Sequence, residues 1–339
     1  MIEETIRARA QQAIKEKVFP GCVIGMIADG STSIIPVGTL TDEGNEKVEE
    51  NTIYDVASIT KSIPVASLAL LFAQFYPARL NLAGKVVKYL PELRNDHGAT
   101  IEDLLRYRVK GPQMSQLSFK TLEEIRTYVF EHGFDAPAGD GAYTNLPAFL
   151  LGLIVERVGE ASLPVLANRY FFEPLGMSDT TFFPVNPNTS NPTDRQSLMR
   201  ADNRIAPTKI MDGEEIRGIV HDESARVFAL QSRAVGHAGL FSTAPDLLTF
   251  LEALLVGKLP AVVAGAEQGL GWSIDEPWRR GRYSSKMFSK TGFTGCLVAA
   301  DAEKGIGLVI LSNRTYPRRP PDNSAINIFR KDIADIVFG

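Results

Sequence analysis

Asp55-Val56-Ala57-Ser58-Ile59-Thr60-Lys61, running into the apolar segment Ile63 to Phe75, is the stretch on which the reading of this 339-residue chain turns. It reads as a short extended entry followed by a helix that begins at or just after the serine. Residues three apart on a helix share a face, so Ser58 and Lys61 can touch. A serine hydroxyl is a weak nucleophile until a base takes its proton, and an amine in an apolar setting can lose its own. Free backbone N–H groups at a helix start also favour incoming negative charge. Taken alone, Ser-x-x-Lys is unspecific, since about one match arises by chance in a chain of this length. The same residues suit a capping serine with a solvated lysine in the first turn.

Around this stretch the chain is ordinary globular material, 44% apolar and 22% charged, and long enough to bury a large core. A net charge of −4 gives no reason to expect a nucleic-acid partner. No run of 18 apolar residues exists, so no membrane span is expected. The opening Met1-Ile2-Glu3-Glu4-Thr5-Ile6-Arg7 lacks a basic and then apolar leader, and the expectation is a cytoplasmic protein. Two cysteines, Cys22 and Cys296, are too few for a disulfide framework and read as small buried hydrophobes.

In chain order, residues 2–18 form an amphipathic helix stopped by Pro20-Gly21. Cys22 to Ala28 and Ser33 to Val37 are strands joined at Asp29-Gly30-Ser31. The middle turns helical, at 80–90, 101–106, 122–132, 147–158, 163–172 and 246–255, with a Pro- and Asn-rich loop at 184–194. Strand signals return as Lys286 to Asp301 and Ile306 to Ser312, and a closing helix carries Ile326, Phe329, Ile333, Ile336 and Val337 on one stripe. The expected architecture is α+β: one antiparallel sheet built from 1–75 and 260–339 and flanked by terminal helices. A mainly helical insertion occupies 76–259, and the active site lies in the cleft between the two parts.

Two further motifs would form the walls of that cleft. In Gly139-Asp140-Gly141-Ala142-Tyr143-Thr144-Asn145, a glycine-rich turn delivers Tyr143 and Asn145 to one side. A tyrosine held beside a lysine ammonium gives up its proton more readily and serves as a base. As plain structure, Tyr143 packs and Asn145 caps the helix near Pro147. In Ser289-Lys290-Thr291-Gly292-Phe293-Thr294-Gly295, a strand offers a cation, a hydroxyl and an unobstructed backbone edge for a peptide-like substrate.

Ser-x-x-Lys, Tyr-x-Asn and Lys-Thr-Gly each occur once, in that order. Together they are far more specific than any one, and the sequence resembles the serine β-lactamase-like family, in its class C, carboxylesterase and D-alanyl-D-alanine peptidase branch. The resemblance runs through nearly the whole chain. It includes residues 20–23, 86–93, 150–158, 172–182 and 290–295, and Val220-His221-Asp222-Glu223 with Gly236-His237-Ala238-Gly239-Leu240-Phe241-Ser242 looks like a peptidase-like subgroup feature.

The resemblance implies a β-lactamase/transpeptidase-like fold and an acyl-enzyme on Ser58. Lys61 and Tyr143 would share its proton, and Asn145 would hold Lys61 and a substrate carbonyl. Lys290, Thr291 and Gly292 would bind substrate, and the backbone N–H groups of Ser58 and Phe293 would form the oxyanion hole. It implies no metal and no organic cofactor. The partner is a small ester, amide or β-lactam; the chain leaves the oligomeric state open. One departure stands out: after Asp103-Leu104-Leu105 the family shows a His-Thr-Ser-Gly-like turn, and this chain reads Arg106-Tyr107-Arg108-Val109-Lys110-Gly111. That more basic cleft edge is the one feature favouring a penicillin-recognising module that acylates with little turnover. His221 and His237 lack metal-ligand spacing and are expected to hydrogen-bond structurally. There is no Gly-x-Ser-x-Gly, which excludes an α/β-hydrolase.

Overall fold

The computed structural model describes residues 2–116, 119, 121–141, 143–182, 203–276 and 283–339. The predicted loop at 184–194 lies outside these residues.

In chain order the strands are β1 (Gly21–Ala28), β2 (Ser31–Gly38), β3 (Tyr54–Asp55), β4 (Thr181–Phe182) and β5 (Lys209–Met211). They continue with β6 (Glu214–Ile216), β7 (Leu240–Ser242), β8 (Met287–Thr291), β9 (Leu297–Asp301) and β10 (Ile306–Ser312). The main sheet has the order β2-β1-β10-β9-β8 and is antiparallel throughout. Its first hairpin turns at Asp29 and Gly30, both at positive φ (51° and 70°), as a tight two-residue hairpin connection requires. The expected single strand from Lys286 to Asp301 is in fact two. After Thr291 the chain reverses through Gly292 to Gly295, the latter at φ 113°, and returns as β9.

Strand alternation sorts the sheet residues into two cores. Cys22, Ile24, Leu308 and Ile310 face helices Ile2–Lys15 and Ser324–Phe338. Val23, Ile27, Val309 and Leu311 face the larger helical core on the other side. Gly25 points to that second face, where helix Ala244–Leu255 lies so close that a Cβ would sit 2.6 Å from a Leu248 methyl. This helix packs directly on β1 and β10. Residues 244–255, which the sequence reading places within the helical insertion of 76–259, thus form the sheet's second cover, their apolar face fitting the gap that Gly25 leaves. Conversely, the helix that follows Ser58 (Ser67–Phe75) packs among helices Leu146–Gly159 and Pro260–Glu267. The run Ala57–Phe75 is long and apolar enough to cross a membrane, and 72% of its apolar window is buried in this core.

Period two also decides where β8 aims its chemistry. Met287 faces the terminal helices and Phe288 the larger core, so Lys290 points toward the helical layer and not away from it. The terminal helices in turn fix the sheet's outer face. Phe329 is fully buried, with its ring 4.9 Å from Phe19 and capped by Arg9 at 5.4 Å. Replacing Phe329 by Ala is expected to destabilise the protein by about 3–5 kcal/mol in denaturant unfolding, the range for deleting a buried ring.

Candidate active site

Ser58 lies in a tight 3-10 turn, Ala57–Lys61, reached from β3 through Ala57 at φ 47°. In such a turn residues i and i+3 eclipse. The Lys61 ammonium accordingly donates to Ser58 Oγ at 2.7 Å, and a second donation goes to the His237 carbonyl at 2.7 Å. Lys61 is 1% exposed, unlike the solvated lysine of an ordinary cap. Burial first, then the neighbouring Lys290 charge, lowers it from 10.5 to about 7, against an opposing pull from Asp222.

The turn is fastened on every side. Asp55 accepts from Ala57 N at 2.8 Å and from His221 N at 2.7 Å, and burial raises its carboxyl to about 6 despite those two bonds. Thr60 donates to Ala57 O at 2.6 Å and accepts from Leu240 N at 3.1 Å. Thr294 Oγ1 donates to Asp55 O at 2.6 Å, which ties the reversal after β8 to the entry of the serine turn. The Arg330 guanidinium holds that reversal from behind, donating to Gly292 O at 2.7 Å and Cys296 O at 2.8 Å. Gly292 itself has a reason different from the expected open edge for substrate: a Cβ there would fall 2.5 Å from Val56 O. Among the described residues, neither the Ser58 N–H nor the Phe293 N–H has an internal acceptor, so both remain free for a developing oxyanion.

Lys290 is 2% exposed, and among the described residues no acceptor reaches its ammonium. It sits instead over two rings, 4.5 Å from the centre of Tyr143 and 4.7 Å from that of Tyr107. Such contacts favour the charged form by about 0.5–2 kcal/mol each. Burial nonetheless lowers Lys290 to about 8, with Glu276 pulling the other way. The departure at 106–111 thus resolves residue by residue. Arg106 pairs with Glu102 at 2.7 Å and donates to Gln268 O, and Arg108 lies 4.0 Å from Asp103. Both arginines are engaged locally, Lys110 is exposed, and Tyr107, at φ 54°, packs its ring 5.0 Å from Tyr143.

Tyr143 has its ring 5.4 Å from the Lys61 ammonium. The expectation that a neighbouring ammonium would ease its deprotonation does not hold. Desolvation pushes the phenol above its ordinary value, a hydrogen bond with Ser58 pulls it down, and Glu276 and Asp222 raise it further. With 56% of the residue open to the cleft, water screens part of that push, and the phenol remains protonated at neutral pH. Asn145 precedes helix Leu146–Gly159 without capping it. Its amide donates to Asp222 Oδ2 at 3.1 Å, and the Lys61 ammonium that it was expected to hold donates instead to Ser58 Oγ and the His237 carbonyl. These groups, with Thr291 and Ser273, border a cleft of about 880 Å³.

Several residues here escaped the motif reading. Asp222, noticed only as part of the Val220-His221-Asp222-Glu223 stretch, caps helix Glu223–Leu230 (Ala225 N to Oδ1, 2.9 Å). Arg330 carried a visible signal, a cation on the apolar stripe of the closing helix. Tyr107 and Asp55 carried none. His237 meets Ser224 and Asp222 through its ring, as expected of a structural histidine, but its carbonyl is a direct partner of Lys61.

The geometry sets a serine hydroxyl against a buried amine in a cleft between a sheet and a helical layer. The sequence profile described as Beta-lactamase matches residues 6–331, and the chain belongs to that family. It is thus a serine hydrolase of the β-lactamase and penicillin-binding protein type. A "Putative D-alanyl-D-alanine carboxypeptidase" from Salmonella agona (strain SL483) is 26% identical over 321 residues, covering 82% of this chain and 72% of the relative. Among solved structures, "EstCE1, a hydrolase with promiscuous acyltransferase activity" superposes with a TM-score of 0.74 at 19% identity, covering 100% of this chain and 98% of that one. A "Beta-Lactamase/D-Alanine Carboxypeptidase" from Pseudomonas syringae gives a TM-score of 0.71 at 21% identity, over 99% and 98% of the two chains. The expected α+β, transpeptidase-like fold is thereby borne out.

The Val56 contact makes Gly292 a sharp test of the site's assembly. Gly292→Ala is expected to push the β8 end from the serine turn and lower kcat/KM on any turned-over ester by at least about tenfold, since ångström-scale misplacement is that costly. Steady-state kinetics with a parallel melting curve would measure it.

Proposed function

We propose that this hydrolase cleaves small esters or amides by way of an acyl-enzyme on Ser58. The observation that carries the reading is the 2.7 Å contact between Ser58 Oγ and a buried amine lowered to about 7. At neutral pH a large share of that amine is unprotonated, so Lys61 takes the serine proton as Oγ attacks the carbonyl carbon. Tyr143, still protonated, is the group suited to hand a proton to the leaving atom, and the proton that Lys61 took from Ser58 then replaces it and returns Lys61 to its neutral form. The two free N–H groups, of Ser58 and Phe293, meet the oxyanion; one such donor is worth about 10²–10³ in rate in other enzymes. Asn145 offers its carbonyl end to the cleft, and water releases the acyl group in the second half of the cycle.

Lys290, with rings around it and no carboxylate hydrogen-bonded to it among the described residues, and Thr291 beside it favour a substrate bearing a carboxylate. D-amino peptides and β-lactams fit that description, and the carboxypeptidase-like relative leans the same way. A module that acylates without turnover loses its main support, because the 106–111 turn supplies a ring to the site instead of a basic obstruction.

Hydrolysis of nitrocefin and of short-chain p-nitrophenyl esters by wild type and Ser58→Ala tests the assignment. The variant is expected to lose at least about a thousandfold in kcat. Equal rates for the two proteins defeat the reading, and an acyl mass that accumulates once per chain without release points to the binding module. The pH profile gives a second test. Neutral Lys61 is the active form, so kcat/KM should rise with pH through a limb near 7, the lowered value of its amine. For a carboxylate substrate it should fall again near 8, as Lys290 loses its charge. Lys61→Arg keeps the cation but cannot lose its proton, and is expected to lower kcat by at least about a hundredfold.

A further inference from the structure

Asp222 belongs to none of the three motifs, yet its carboxylate is the hub of the polar groups beneath Lys61. Oδ1 accepts from Ala225 N at 2.9 Å and from Ser224 Oγ at 2.8 Å, and these two bonds complete its task as a helix cap. Oδ2 is left over and accepts from the Asn145 amide at 3.1 Å. An ionised carboxylate only accepts, so Asn145 must present its NH₂ to Asp222 and its carbonyl oxygen to the other side.

The same logic settles the histidine. The Ser224 hydroxyl has one hydrogen and gives it to Asp222, so the His237 Nε2 at 3.0 Å must be a donor. That nitrogen also lies 3.3 Å from Asp222 Oδ1. His237 is thus the neutral Nε2–H form, consistent with a fully buried ring whose Nδ1 finds no partner among the described residues. Anchored so, the His237 peptide holds out the carbonyl that Lys61 grips at 2.7 Å.

We propose that Asp222 is a positioning residue for the reaction at Ser58. Its carboxylate sets the orientation of the Asn145 amide, fixes the carbonyl that holds Lys61 through Ser224 and His237, and supplies the negative charge that limits how far the buried lysine loses its proton. The inference rests on the acyl-enzyme reading above. Burial disfavours the Asp222 anion, but the hydrogen bonds from His237 and the Ala225 N–H, with the Lys61 charge, outweigh it and hold the carboxyl well below the usual range. The other charged and titratable groups facing this cluster are Lys290 from β8, Tyr143, Asp55 before the serine turn, His221, whose burial holds its ring below the usual imidazole range, and Arg226, whose guanidinium is occupied by the Val220 and His221 carbonyls.

The test is the pH–rate profile of ester hydrolysis by Asp222→Asn, with folding checked by melting curve. Removing the anion lowers the Lys61 pKa further, so the acid limb should move to lower pH by about 0.5–1 unit. Plateau kcat should also drop, by about ten- to a hundredfold, because Asn cannot accept at both ends as the carboxylate does. A folded variant whose acid limb stays where wild type has it, or moves upward, overturns the proposal. Should Asp222→Asn not fold, Asp222→Glu decides: the charge is kept and the geometry shifted, so the limb should hold while plateau kcat falls. A displaced limb or an unchanged plateau in that variant overturns the proposal equally. Wild-type protein with no Ser58-dependent turnover is a different failure, removing the reading of the site and this inference with it.

Discussion

Two lysines taken out of water within one cleft are the constraint on which this molecule is built. An ammonium in a low-dielectric interior is heavily penalised and responds by shedding its proton. Lys61 and Lys290 also repel each other, and no single carboxylate neutralises the pair. The fold answers with different means for each. Lys61 receives two acceptors and a nearby anion, Asp222. Lys290 receives the faces of two tyrosines, which attract a cation without fixing it in a hydrogen bond. The first arrangement suits a group that must give and take a proton, and the second suits one kept available for an anionic ligand.

Holding those charges in place explains otherwise unrelated parts of the structure. The buried Asp55 carboxylate knits the serine turn to the strand of residues that ends in Asp222. Thr294 and Arg330 pin the reversal after β8 against that turn, and Gly292 permits the approach. Gly25 performs the analogous service in the core, where it lets helix Ala244–Leu255 settle on the sheet. Both glycines are places where a backbone must come near a neighbour, and neither has the positive φ that is the more familiar reason for the residue.

How much of this could be read from the sequence depends on the range of the interaction. Ser58 and Lys61 are three residues apart, so local helical geometry alone announces their contact. Strong periodicity likewise survives, and helix Leu122–His132 begins and ends as its pattern predicts, whereas of the helix expected at 80–90 only Val86–Tyr89 forms. The reversal at 292–295 was hidden because Phe293 and Cys296 prolong the apolar look of a strand across it. Asn145 and Asp222 are 77 positions apart, and nothing in either neighbourhood marks the partner; Asp222 before Glu223-Ser224 is indistinguishable from an ordinary cap. Tyr107 was noticed only as part of a basic turn, since charge stands out in a sequence whereas a ring's direction does not. The phenol of Tyr143 was misjudged for a related reason: proximity to a cation is legible from spacing, but the degree of desolvation is a property of the finished fold.

The pairing of β1 with β10 sets Cys22 opposite Ser312, so the sheet's innermost ladder joins residues almost 300 positions apart. During synthesis the first hairpin emerges early and must wait, one edge of it unsatisfied, until nearly all the remaining chain has been made. Only then do β8 and its lysine arrive beside a serine turn that was translated long before. The cleft is therefore completed last, and a half-made chain holds a serine turn without its opposite wall.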